Sequence, residues 1–117
     1  MASPDLNTHV RNLNATGQNV TTGPVRVSGF VITNAISPVA TAFVQIFNAA
    51  AANVTLGTTV PLMSIHVAGA AIAVGGTLVV ALVTPMFFDT ALSVFGTTTA
   101  EGNAGTADGV FVQVWVE

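Results

Sequence analysis

The run from Val25 to Thr33, VRVSGFVIT, decides the fold class: Val25, Val27 and Val31 fall on one side of an extended chain, Phe30 and Ile32 on the other. Side chains alternate across a strand, so apolar residues on both sides describe a strand that becomes buried on both faces as it runs inward from Arg26 and Ser28. Valine and isoleucine suit that pleated setting because their branched side chains pack well on it. The texture recurs along the chain. TAFVQIFN (41–48) sets Ala42, Val44 and Ile46 opposite Phe43, Gln45 and Phe47, and PLMSIHV (61–67) sets Met63, Ile65 and Val67 opposite Leu62, Ser64 and His66. TLVVALV (77–83) reads as a further core strand. A break near Asp89 precedes a short strand from Ala91 to Phe95, and VFVQVWV (110–116) closes the chain with its four valines opposite Phe111, Gln113 and Trp115.

Turn-forming residues separate these runs. Asn, Ser and Pro cluster over 34–38, where a hairpin is the simplest connection, and AGAAIAVGG (68–76) and TTTAEGNAGTADG (97–109) read as loops. AAAANV (49–54) is too short to stand as a helix and reads as a loop too. Six to eight short strands with such turns predict an all-β chain, an antiparallel β-sandwich or jelly-roll-like fold. Residues 1–22 are polar, with Leu6, Val10 and Leu13 irregularly spaced. They are expected to form an N-terminal arm or a loosely attached first strand, leaving 23–117 as the sandwich domain.

Composition narrows the function classes. The 117 residues hold two basic and five acidic groups, a formal charge of −3, and no cysteine. One core can form at this length without a disulfide or a metal, and a thiolate metal site and a cysteine nucleophile are excluded. With no lysine, and Arg11 and Arg26 the only arginines, phosphates cannot be neutralised one by one, so no nucleic-acid partner is expected. Charged residues make up 6% of the chain, against about 25% in an ordinary soluble domain. A surface of short neutral polar groups is easily desolvated against another protein, which points to assembly. The stretch from Val60 to Val83 is long enough to cross a membrane as a helix and carries no charge, but Pro61, Gly69, Gly75 and Gly76 punctuate it and no cation anchors its ends. Two strands joined by a Gly-rich loop fit it better, and no membrane partner is expected.

Few residues can exchange protons or attack. Ser64 and His66 share a strand face but lie about 7 Å apart along it, too far for a direct nucleophile-to-base hydrogen bond. Glu101, Asn103 and Asp108 in one loop do not match the spacing of a calcium loop. His9 and His66 form no zinc motif. No catalytic, cofactor-binding or metal residues are therefore expected, and no enzyme activity. Trp115 beside Phe111 is a start for sugar stacking, but there is no tyrosine to extend the platform.

FVQIFNAAAANVTLGTTVPLMSIHVAG, preceded by VSGFVITNAISPVATA and followed by ALSVFGTTTAEGNAGTADG and a Val-rich final strand, resembles a group of small all-β proteins of tailed bacteriophages and prophages. The resemblance covers residues 25–116. It is most specific at Thr33-Asn34, at Val44 to Asn48, and at Gly57 to Pro61 leading into Leu62 to Ile65. The similar proteins carry more charge, and prolines where His66 and Ala68 stand. The resemblance implies a virion structural role on the capsid exterior: a decoration or cement protein that binds the major capsid protein as a homo-oligomer, with a trimer expected by analogy with three-fold shell positions. A tail, baseplate or glycan-binding fibre component is the alternative. Leu6, Val10 and Arg11 of the arm are the expected contacts with the shell or an adjacent subunit.

Overall fold

The computed structural model describes residues 7–10, 13–36, 41–67, 76–106 and 109–116, with residues 7–10 and 76 described by their backbone alone. Its strands are β1 (Asn7–Val10), β2 (Gln18–Thr21), β3 (Val25–Asn34), β4 (Ala42–Phe47), β5 (Met63–Val67), β6 (Gly76–Phe88), β7 (Leu92–Thr97) and β8 (Val110–Val116). Ala51–Asn53 forms a single 3-10 turn in the segment read as a loop.

Two four-stranded antiparallel sheets form, in the orders β1-β8-β3-β6 and β2-β7-β4-β5. Their pairs nest: β1 with β8, β2 with β7, β3 with β6, and β4 with β5. That is one long hairpin bent at β4–β5 and rolled until β3 also meets β8 and β4 also meets β7. The order is that of a jelly roll. The core lies between the sheets and is built from Val27, Phe30 and Ile32 of β3, Ala42, Val44 and Ile46 of β4, Leu92 and Val94 of β7, and the four valines of β8.

The roll corrects three readings of the sequence. The link from β3 to β4 is no hairpin, because β3 pairs in one sheet and β4 in the other. TLVVALV and the following Met86-Phe87-Phe88 belong to one strand, β6, and the next strand runs Leu92–Thr97 rather than 91–95. Nor does β3 alternate evenly. A register shift between Val27 and Gly29 carries the pairing from Met86 to Ala81 of β6, so Leu82 to Pro85 face only Ser28. The bulge changes which parity points inward. Val27 lies on the core side before it, Phe30, Ile32 and Asn34 lie there after it, and Val31 is left half-buried. Pro85 has no N–H to donate, which an edge strand such as β6 tolerates.

Residues 1–22 are not a separate arm over their described part. β1 pairs with β8 and β2 with β7, each as the edge of a sheet. Leu13, between them, is fully buried in the core. Its N–H donates to the Val110 carbonyl at 2.9 Å, and the next carbonyl, of Asn14, accepts from Gly96 N–H at 3.0 Å. Residues 13 and 14 thus tie one sheet to the other. Irregular apolar spacing marks a chain that crosses between sheets as readily as one that is unattached, and of the two readings of this segment the attached strand holds over its described part.

Candidate functional site

The residues weighed for chemistry do not converge. Ser64 and His66 lie on β5, an edge strand. The Ser64 hydroxyl is buried without a hydrogen bond, while His66 is exposed and stacks on Phe43, its cross-strand neighbour, with ring centroids 4.6 Å apart and planes 18° from parallel. Asp89 accepts from Asn48 Nδ2 at 2.8 Å and from the Thr90 hydroxyl at 3.2 Å, and these hydrogen bonds, Asn48 first, hold its pKa below the ordinary value of 3.8. Asn48 Oδ1 in turn accepts from Thr90 N–H at 3.0 Å. This cluster caps the β6–β7 turn. Glu101 is exposed in the β7–β8 loop. Asp5, Asp108 and Glu117 lie outside the described residues, and His9 is described by backbone alone. Among the described residues no three histidine or acidic side chains come together as a metal site, and no helix is long and apolar enough to cross a membrane.

The expected contact residues fare differently from one another. Val10 pairs with Val112 at the β1 edge, and Leu6 and Arg11 lie outside the described residues. Sequence reasoning missed two larger features.

The first is a strap. The β7–β8 loop folds back over the outer face of the β2-β7-β4-β5 sheet, where Gln45 is fully buried although it points away from the core. Gln45 Nε2 donates to Thr97 Oγ1 at 2.8 Å, Gly102 O at 3.1 Å and Thr99 O at 3.3 Å. The Thr97 hydroxyl passes its own proton on to Thr99 O at 2.7 Å. Thr106 Oγ1 donates to Leu13 O at 2.8 Å and anchors the far end of the loop. Nearby, Gly17 lies against the Phe95 ring with no room for a Cβ, and Phe95 meets Phe47 edge-on at 5.3 Å. A glutamine in strand alternation carries no signal that a loop distant in sequence will cover it.

The second is an apolar side. The contact of β1 with β2 places those edges on one flank of the roll, closed by Leu13, and so places β5 and β6 on the other. The exposed large hydrophobic residues among those described are Val60 (75%), Leu62 (52%), Val79 (56%), Val83 (103%) and Phe87 (57%), all on β6 or on the approach to β5. Inner-row residues of these strands, Met63, Ile65, Leu78, Val80, Leu82 and Met86, are only partly buried. On the outer face beside β6 Trp115 covers Gly29, and the exposed guanidinium of Arg26 sits 5.6 Å from the Phe87 ring centroid, placing one cation against this otherwise apolar side.

Comparison with known protein families, curated proteins and solved structures gives no match to this chain.

Proposed function

We propose that this chain is a virion structural protein: a capsid decoration protein that binds the outer shell of a phage head as a homo-oligomer, a trimer at three-fold positions, and reinforces the shell against internal pressure. The observation that carries the reading is the apolar flank of a jelly roll whose sequence holds only 6% charged residues. Solubility charge is nearly absent and large hydrophobic side chains stand in solvent, a combination suited to a protein that spends its life covered by others. The jelly roll is used in viral shells but also in lectin domains and cupins, so the fold supports the reading without deciding it. The resemblance of residues 25–116 to small phage proteins adds the capsid setting.

Attachment would rest on apolar burial and on amide hydrogen bonds, because few charged groups exist to be screened. The test is to mix the purified chain with heads lacking it and sediment the particles at low and at high salt. Co-sedimentation that is saturable and unchanged by salt is the expected result. Failure to co-sediment at either salt concentration rules out decoration.

A further inference from the structure

The side-chain polar atoms that the fold buries without a partner all lie on one surface. Among the described residues they are Gln45 Oε1, Ser64 Oγ and Ser93 Oγ. The register sets Ser64 opposite Gln45 across β5 and β4, and Ser93 opposite Phe47 across β7 and β4, while the residues alternating with them, Val44, Ile46, Leu92 and Val94, enter the core. All three orphans therefore sit on the outer face of the β2-β7-β4-β5 sheet. The other buried polar side chains, Asn34, Thr97 and Thr106, are hydrogen-bonded. A buried polar group left unpaired is costly, and native folds rarely leave one so. Three on a single face share a cause.

That face is roofed by backbone rather than packed by side chains. The strap lies over Gln45, Gly17 lies against Phe95, and the 3-10 turn is tied down where Ala51 N–H donates to Asn19 Oδ1 at 2.8 Å. Residues 14–17, 50–53 and 98–104, which make the roof, are Asn, Ala, Thr, Gly and Glu alone. No large apolar side chain comes down from them to interdigitate with the sheet, which is how a protein interior excludes water.

We propose that this layer holds an internal water molecule, bound between Gln45 Oε1 and Ser64 Oγ beneath the strap. The chemistry of the two atoms selects the ligand. A carbonyl oxygen only accepts and a hydroxyl does both, so the occupant must donate to Gln45 and can either donate to or accept from Ser64. Both groups are neutral, which suits an uncharged ligand. Size does the rest: Gln45 is 0% exposed, with Phe47 and Phe95 at 1% and 3% beside it, so nothing larger than water fits without lifting the strap. Ser64 is half-buried on the edge strand β5, which marks the side from which the water exchanges. The inference stands apart from the virion reading and holds whatever the chain attaches to.

The experiment measures oxygen-17 relaxation dispersion of the solvent, which reports only water molecules that stay bound longer than the protein takes to tumble. It compares the full wild-type chain with S64V, whose methyl groups take the place of the hydroxyl, and with T58V, which removes an exposed hydroxyl from the β4–β5 loop. Circular dichroism checks the fold. The expected result is a dispersion in the wild type, unchanged in T58V and reduced in S64V by the amplitude of one water. A wild type without dispersion, or an S64V amplitude equal to that of the wild type, overturns the proposal. If S64V fails to fold, a crystal structure of the wild type decides: a water within about 3 Å of both Gln45 Oε1 and Ser64 Oγ is expected. A Ser64 hydroxyl bonded directly to Gln45 Oε1 overturns it.

Discussion

Gln45 Nε2 donates to Thr97 Oγ1 at 2.8 Å, joining β4 to β7 on the face turned away from the core. The same amide reaches Gly102 O and Thr99 O, so one buried side chain on a strand fixes the path of a loop more than fifty residues later.

Replacing Gln45 with leucine should release that loop. The substitution removes the donor to Thr97 Oγ1, Thr99 O and Gly102 O, and while Thr99 O keeps the Thr97 hydroxyl, Gly102 O must find water, a loss of about 1–3 kcal/mol. Glu101 sits in the strap and is exposed, which gives a direct readout: cleavage by a glutamate-specific protease should be slow in the wild type and at least tenfold faster in Q45L. Equal cleavage rates would show that the strap is held by something else.

Leu13 seals the β1/β2 flank. L13A should cost about 2–5 kcal/mol, the range for emptying a leucine-sized space in a core. Deleting residues 2–18 should be worse, since it removes β1, Leu13 and the start of β2 together. Urea denaturation measures both, and a truncated chain as stable as the wild type would return these residues to the status of an appendage.

The side of Gly29 is occupied. A Cβ there would stand 2.7 Å from the Val80 carbonyl oxygen and 2.8 Å from Trp115 Cε3, so G29A must displace backbone or indole. The expected cost is about 1–3 kcal/mol, as for other overpacked sites. Trp115 is the only tryptophan, so its fluorescence should shift to the red and acrylamide should quench it more readily. An unchanged emission spectrum would count against the close packing of this pair.

The carboxylate of Asp89 is held ionised by Asn48 and Thr90. A depressed pKa in the folded state means stability that is present above the unfolded value and lost as pH falls through the folded one. The difference in melting temperature between the wild type and D89A should therefore be largest at neutral pH and shrink as the pH falls below about 4. A difference that stays constant from pH 7 to pH 3 would remove the charge of Asp89 from the account.

Strand identity was legible wherever alternation was regular: VFVQVWV is β8 with its four valines inward, and TAFVQIFN is β4 with Ala42, Val44 and Ile46 inward. Alternation does not encode which strand lies beside which, so the crossing from β3 to β4 between sheets was not visible. Nor does it encode bulges. Val27 and Phe30 share the core side only because Ser28 interrupts the register, and that depends on β6. The apolar flank was half legible: the absence of charge from Val60 to Val83 was plain, but that Leu62, Val79 and Val83 gather on one side follows from the roll. The strap was illegible, because Gln45 differs from a solvent-facing glutamine only in what lies over it.

The central claim is tested most directly by the copy number of this chain in intact particles, read by gel densitometry against the major shell protein. The account predicts a copy number of the same order as that of the shell protein, as a protein occupying every equivalent shell position requires. Absence from purified particles, or a stoichiometry of only a few copies per particle, would contradict it.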